Sequence, residues 1–389
     1  MLRAHKIALD PNNKQKTMLA KSAGCARFAW NWALAKWQEL YKAGEKPSWM
    51  DIRKKLNAIK KEEFPWMSEV SHNASSETIR NLGKGFDAFF AKRCGYPKFK
   101  KKGIHDSAYV ADGINLKIKN KTIRLPRIGE IRMREALRFE GKLISATVSK
   151  EANRWYVSVI VDVPDLITVH QDRGIVGVDL GITTLATLST GEKIEGPRAM
   201  KVGEKRLRML CKSVSRKKKG SANNNKARIK LAKQYQRMGN IRSDSLHKLT
   251  NKLTKNFSVI GIEDLNVAGM IKNKHLSKSI ADMGFFEFRR QLNYKALLNG
   301  SEVIVVDRFF PSSKLCSVCG FKVDKLNLSI RDWRCSSCGT LHDRDINAAK
   351  NIGKEAADLA VTACGVGSAG AKKSRTKLLT KKQEPNTNG

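Results

Sequence analysis

No run of about 18 uninterrupted apolar residues occurs in this 389-residue chain, and its start lacks the charged-then-apolar pattern of a secretory signal. Those absences argue against a membrane span and against export, so a cytoplasmic protein is expected. Acidic residues are scarce as well. Lys and Arg number 75 against 36 Asp and Glu, a formal charge of +39, with a pI near 10.1. Self-repulsion on that scale calls for a polyanion, and nucleic acid, bound with steep salt dependence, is the expected partner. A disulfide framework is missing: Cys25, Cys94, Cys211 and Cys364 are scattered, which suits a reducing compartment. Nor does any Ser-His-Asp or Cys-His arrangement offer a side-chain nucleophile with its base.

What is present is enough apolar content, 41%, to bury at least one large core and two or three compact units. A strand candidate, His5 to Leu9, precedes Asp10 and Pro11, which suit the cap and first turn of a helix. The helical pattern runs through Phe28, Trp30, Trp32, Leu34, Trp37, Leu40 and Tyr41, and a second one from about Ser75 carries Ile79, Leu82, Phe86, Phe89 and Phe90. These aromatics read first as helix-packing core, with a minority left to stack on bases. Between Ser107 and Pro164 the period shortens to two. Ile114, Leu116 and Ile118 alternate with polar residues, as do Trp155, Val157, Val159 and Val161, around turns near Asn120 and Ala152-Asn153. That predicts antiparallel strands in a small barrel or sheet, which the N-terminal strand completes, so that the first helices are an insertion within it.

From Arg173, buried-strand candidates lie at Gly174 to Leu180, Thr184 to Leu188, Phe257 to Ile262 and Glu302 to Val306. A long helix or helix pair is predicted from about Ala199 to Lys255, with Leu231, Tyr235, Met238, Leu246, Leu249 and Leu253 near one stripe. Glu204 and Asp244 are its only acids, so its remaining faces read as phosphate contacts rather than a solvated surface of mixed sign. The stretch from about Gly365, rich in Gly, Ser, Lys, Thr and Asn, is expected to be a disordered tail.

Three acids stand in well-formed contexts: Asp179 in Gly-Val-Asp-Leu-Gly, Glu263 in Val-Ile-Gly-Ile-Glu-Asp-Leu, and Asp345 in His-Asp-Arg-Asp-Ile-Asn-Ala-Ala. A lone Asp at a strand end caps a turn, and Asp345 alone reads as a helix N-cap. Together, two carboxylates after apolar strands and one opening a helix are what gathers oxygen ligands at a sheet edge. Magnesium suits such a set. Two ions, bridged by Asp179 with Glu263 on one of them, would support phosphodiester hydrolysis. Gly177 and Gly181 allow close approach of backbone or substrate, and the alanines after Asp345 allow close packing on the sheet. Asp264, Asp343 and Arg344 are neighbours without an assigned ligand role.

Cys316-x2-Cys319 and Cys335-x2-Cys338 are separated by fifteen residues, the spacing of a four-cysteine zinc ribbon. Gly320 and Gly339 follow each pair where the knuckle turns. Four thiolates complete a tetrahedral shell, so one structural Zn2+ is expected and His342 is not needed. The ribbon is either a folding staple or a device that places nucleic acid near the acids.

Ile-Gly-Ile-Glu-Asp-Leu-Asn-Val, Asp-Arg-Phe-Phe-Pro-Ser-Ser-Lys before Cys316, and Leu-His-Asp-Arg-Asp-Ile-Asn-Ala-Ala-Lys-Asn-Ile after Cys338 resemble the TnpB family of insertion-sequence proteins, relatives of the type V CRISPR effectors. Arg27-Phe-Ala-Trp-Asn-Trp-Ala, Tyr96-Pro-Lys-Phe-Lys-Lys-Lys and Ser215-Arg-Lys-Lys-Lys-Gly extend the resemblance over most of the chain. It implies an α/β multidomain fold: a wedge β-barrel (1–10 and 105–170), a helical recognition insertion (11–104), an RNase H-like (RuvC) nuclease domain (171–315 and 340–364, with the basic helices 199–255), an inserted zinc ribbon (316–339) and a tail (365–389). The resemblance also implies an RNA-guided DNA endonuclease with Asp179, Glu263 and Asp345 at its catalytic positions. Its partners would be a guide RNA from the element's own end and a double-stranded DNA target beside a short motif, in a nucleoid-associated monomer. Guide pairing would read sequence while the protein reads shape and backbone. Two other readings stay open: a transposase acting on element ends, and an RNA-guided repressor that does not cut.

Overall fold

The computed structural model describes residues 1–104, 106–164, 172–327 and 329–365. The expected tail lies, but for Gly365, outside the described residues, as does the side chain of Cys364. The chain divides into two compact units, 1–167 with 202–239 and 168–201 with 240–389.

In the first unit, β1 (Leu2–Asp10) leads into three helices, α1 (Asn13–Lys42), α2 (Trp49–Ile59) and α3 (Asn73–Phe90). Six strands follow: β2 (Ser107–Asp112), β3 (Lys117–Lys119), β4 (Thr122–Leu125), β5 (Gly129–Met133), β6 (Lys142–Glu151) and β7 (Arg154–Asp162). Among the described residues these make an antiparallel seven-stranded sheet in the order β2-β6-β7-β1-β5-β4-β3, so β1 does complete it. Two local expectations fail. Asp10 ends β1, and the cap of α1 is Asn12, whose side chain accepts from the Gln15 N–H while Gln15 reaches back to the Asn12 N–H. That reciprocal pair satisfies two N–H groups that Asp10, two residues too early, does not reach. Ile114 is not in a strand: Asp112 accepts from the Asn115 backbone, turning the chain and leaving Ile114 89% exposed.

The helical aromatics are mainly core. Trp37 stacks on Phe86 with ring centroids 4.1 Å apart, and Phe28, Trp30 and Trp32 pack against the same cluster, while Tyr41 and Phe90 face solvent. Helix α2 has no counterpart in the sequence reading, since its buried apolar pair, Ile52 and Leu56, is too short a pattern to register. The turns at Asn120 and Ala152-Asn153 have the positive φ angles that tight reversals demand.

The second unit contains a mixed sheet in the order β10-β9-β8-β11-β12. Its strands are β8 (Ile175–Asp179), β9 (Thr184–Leu188) and β10 (Lys193–Glu195), then β11 (Val259–Glu263) and β12 (Glu302–Val306). β8, β11 and β12 run parallel, and β9 pairs antiparallel with β8. Parallel neighbours need long connections. Along the chain these are α4 (Ala199–Ser215) with α5 (Ala222–Asn256), of which residues 202–239 belong to the first unit, then α6 (Val267–Ile271), α7 (Ser277–Met283) and α8 (Phe285–Asn299). The basic region is thus a helix pair, in which Met238, Leu246, Leu249 and Leu253 are buried while Tyr235 is exposed. α6, α7 and α8 were not foreseen. After β12 come the short β13 (Asp332–Arg334) and β14 (Leu341–Asp343), and then α9 (Arg344–Gly365).

Side-chain alternation assigns the two faces of this sheet. Val176, Val178, Ile260 and Ile262 join Leu246, Leu249, Phe288 and Leu292 in one core. The opposite face carries Gly177 and Gly261, side by side in register, and here α9 lies down. A Cβ on Gly177 would meet the Ala349 carbonyl oxygen at 1.9 Å, and one on Gly261 would meet the Ala356 Cβ at 2.7 Å. Gly177 therefore admits helix backbone.

Candidate metal centres and the acidic edge

By the same alternation, Asp179 and Glu263 stand two residues beyond Gly177 and Gly261, on the face that α9 covers, as the last residues of adjacent parallel strands. Two strand residues rise about 6.6 Å. Asp345 lies four residues before Ala349, which touches Gly177, and four helical residues rise about 6 Å. The two distances match, so the tight seating of α9 brings Asp345 level with the strand ends. Its capping role falls elsewhere: the Asp343 carboxylate accepts from the Ile346 N–H at 2.9 Å. Asp345 is left in the first turn, where the helix dipole favours negative charge.

The three carboxylates feel one another. Burial first, and then the charges of Glu263 and Asp345, push the Asp179 carboxyl up to about 7, against the opposing pull of Arg344 and Arg331. Glu263 accepts from the Ser312 hydroxyl at 2.5 Å, and Asp345 pairs with Arg331 at 3.3 Å. The neighbouring polar residues point elsewhere. Asp264 takes Arg289 at 2.8 Å and Arg308 at 2.6 Å, and these hydrogen bonds hold its carboxyl below the usual range. Arg344 donates to the Asn327 carbonyl, and Asp343 also pairs with Lys193.

Cys316, Cys319, Cys335 and Cys338 are, among the described residues, the one group of potential ligand atoms drawn close enough together to enclose an ion, all within 4.8 Å of one another. The Cys316–Cys338 and Cys319–Cys335 sulfur separations are 3.7 and 3.6 Å. A disulfide needs about 2.05 Å. Four sulfurs placed tetrahedrally about 2.3 Å from zinc stand about 3.8 Å apart, so the residues present fit Zn2+. Each knuckle closes through the Gly320 or Gly339 N–H onto the first cysteine's carbonyl, with φ of +76° and +73°. His342, buried, lies 3.0 Å from the Cys316 sulfur, a neighbour of the thiol set outside the four.

Sequence reading missed what ties the ribbon to the acids. Asn347 and Asn351, both buried, hold the backbone that enters the ribbon: Asn347 accepts from Ser317 N–H and donates to the Leu315 carbonyl, and Asn351 donates to Ser312 and Leu315. Lys354 adds a bond to the Ser317 carbonyl. Their signal was readable, since positions 347, 351 and 354 fall on one helical stripe.

The profile of the family described as "Probable transposase" matches residues 158–274, that of "Cas12f1-like, TNB domain" residues 285–352, and that of a "Helix-turn-helix domain" residues 1–46. Residues 1–46 here hold a strand and one continuous 30-residue helix. A protein of Streptomyces pristinaespiralis described as "Putative RNA-guided DNA endonuclease" is 39% identical over 98% of this chain and 96% of its own length. The chain belongs to the TnpB (OrfB_IS605) family. A TnpB relative from Escherichia coli (strain K12), InsQ, carries the same description and is 34% identical over 94% of each chain. Two solved structures are more distant: a Cas12f1–sgRNA–target DNA complex at 13% identity, 91% and 99% coverage and TM-score 0.36, and the mini-RNA-guided endonuclease CRISPR-Cas_phi3 at 10%, 92% of each chain and 0.47. No helix among the described residues is long and apolar enough to cross a membrane.

Proposed function

We propose that this TnpB protein is a magnesium-dependent, RNA-guided DNA endonuclease that makes double-strand breaks in DNA complementary to a guide RNA from its own element, beside a short target-adjacent motif. The observation that carries the proposal is the gathering of Asp179, Glu263 and Asp345 at one edge of a mixed sheet in a chain of formal charge +39. The names of its relatives agree with it.

The donor set suits a hard divalent cation. Burial first, and then two facing carboxylates, keep a proton on Asp179 near neutrality, and the second of these causes is one that a cation would relieve. Asp179, Glu263 and Asp345 would hold two Mg2+, which when bound supply Lewis acidity for attack of water on a phosphodiester and for departure of the 3′ oxygen. The chain's own groups do the rest. Asp179 would have to release its proton for a cation to be held there, Ser312 donates to the Glu263 carboxylate, and Arg331 pairs with Asp345. Cys316, Cys319, Cys335 and Cys338 would hold one structural Zn2+.

In this reading 1–10 with 105–170 is the wedge barrel, 11–104 the recognition insertion, 171–315 with 340–364 the RNase H-like nuclease domain and 316–339 the ribbon, in a nucleoid-associated monomer. The decisive experiment is plasmid cleavage by protein co-expressed with its flanking RNA after the guide segment has been replaced. Magnesium-dependent cutting should follow the new guide. Cutting that survives ribonuclease treatment before target addition would refute RNA guidance and favour a transposase, and guide-directed binding without a cut would favour a repressor.

A further inference from the structure

Beside the acidic edge, the residue after Glu263 anchors a patch that the proposed chemistry leaves unused. Asp264 receives Arg289 Nη1 on one carboxylate oxygen and Arg308 Nη2 on the other, and its backbone carbonyl accepts from Arg308 Nε at 3.0 Å. Of the five N–H groups each guanidinium carries, Arg289 commits one to Asp264 and Arg308 two. The remaining donors are held in place, on a cluster of net charge +1. Each arginine has an outward aromatic close to it along the chain. Phe286 lies one turn before Arg289 on the same face of α8 and is 72% exposed, and Phe309, next to Arg308, is 87% exposed.

The second aromatic is displayed by construction. Asp307 accepts from the Phe309 N–H through its side chain at 2.8 Å and from the Phe310 N–H through its backbone at 3.1 Å, fixing the turn. Phe310 faces inward onto Val306, Ile352 and Ala356, so its neighbour must face out. Three residues on, Ser312 touches Glu263. Exposed aromatics that share a patch with anchored cations, unlike scattered single ones, favour association. Anchored guanidiniums recognise phosphate, and flat rings stack on bases that are not already paired and stacked in a duplex.

We infer that Phe286, Arg289, Arg308 and Phe309 form a binding subsite for single-stranded nucleic acid, with the arginines on a backbone phosphate and the two rings on bases of the strand that leads to Glu263. The inference rests on the endonuclease reading only for the statement that this strand approaches the acids. Charge complementarity with a polyanion, and continuity with the acidic edge through Asp264 and Ser312, favour nucleic acid over a protein occupant.

The test is fluorescence anisotropy of a labelled single-stranded oligothymidine against the full chain, in about 0.3 M salt so that general phosphate attraction is screened. The variants are Phe309→Ala, Phe286→Ala, the double variant and Phe309→Trp. One stacked base is worth roughly 5- to 150-fold in affinity. Each single alanine should weaken binding by a factor in that range, tryptophan should restore it, and a duplex probe should change little. Equal binding by the double variant and wild type would overturn the inference. So would an equal loss on duplex, or a wild-type dimer that the double variant abolishes in light scattering, since the patch would then be a protein interface. Guide-directed cutting by the wild type is assayed in parallel: if it fails while oligothymidine binding still depends on Phe309, the endonuclease reading falls and the subsite stands.

Discussion

Gly177→Ala is the substitution that most directly interrogates how the acidic edge is built. An added Cβ would sit 1.9 Å from the Ala349 carbonyl oxygen, 2.3 Å from the Gly353 nitrogen and 2.8 Å from the Gly353 Cα. All three are backbone atoms, so no side chain can swing away. Since Cβ contacts under 3.0 Å essentially do not occur, α9 must retreat by at least 3.0 − 1.9 = 1.1 Å. Overpacking of this kind costs about 3 kcal/mol, or roughly 6–12 °C in the melting of a unit this size. The retreat also carries Asp345 away from Asp179 and Glu263, and a misplacement of about 1 Å lowers catalysis on the order of a hundred-fold. Gly353→Ala is the matched control from the other side of the contact. Its Cβ would stand 3.0 Å from the Gly177 nitrogen, which asks for a few tenths of an ångström of give rather than a full ångström, and alanine gains about 1 kcal/mol of helix propensity, so a much smaller loss is expected. The assays are differential scanning calorimetry and the rate of guide-directed plasmid cutting in magnesium. Wild-type melting and rate for Gly177→Ala, or equal damage from both substitutions, would refute the packing argument.

Asp179→Asn should make the magnesium-free protein more stable. Between about pH 4 and 7 the folded chain keeps a proton on Asp179 that the unfolded chain releases, so wild-type stability falls as pH rises through that window, by at most about 4 kcal/mol for a shift of some three units. Amide exchange of β8 and β11 at pH 5 and pH 8 in zinc-replete, magnesium-free buffer measures this, and parallel profiles for the two proteins would contradict it. Asp179→Ala and Glu263→Ala should each retain guide-directed DNA binding in a gel-shift assay while cutting drops about 10²–10³-fold, as when one preorganised electrostatic group is lost; wild-type cutting by either would remove that residue from the site. For the ribbon, Cys335→Ser should lower the zinc content from one per chain and red-shift the emission of Trp333, buried 4.8 Å from His342. Unchanged elemental analysis would count against the four-thiolate assignment. Ser312→Ala should raise the magnesium concentration needed for half-maximal cutting, with Ser312→Thr restoring it; a lower maximal rate at unchanged magnesium dependence would mean that Ser312 does not position Glu263.

The sequence was most legible where one period ruled a whole segment. β12 falls where its apolar run predicts, and β8 and β11 end on the two acids, because parallel strands buried on both faces spell continuous β-branched runs. The four thiols announced themselves by spacing. Less legible was anything set by a partner distant in sequence. Gly177 read as room for backbone or substrate, and the backbone that fills it, Ala349 and Gly353, lies far along the chain, where nothing local could name it. Asp343 rather than Asp345 caps α9, a difference of two residues that only backbone geometry decides. Ser312 was quoted inside a motif without a role, since nothing local says that its hydroxyl meets Glu263. Helices α6 to α8 escaped because α6 and α7 are short and the buried side chains of α8, Phe288, Gln291 and Leu292 among them, include a polar residue that blurs the apolar stripe.

The seating of α9 on Gly177 and Gly261 has a bearing on when in synthesis the acidic edge is complete. Ribosomes deliver Asp179 and Glu263 well before Asp345, and the helix that brings Asp345 to them is the last element described. A chain stopped short by a premature codon, or clipped ahead of α9 by a protease, presents two carboxylates with an unfilled glycine trough beneath them. On the proposed endonuclease reading, competence to cut would thus arrive late in synthesis, and fragments that end before α9 would lack the third carboxylate.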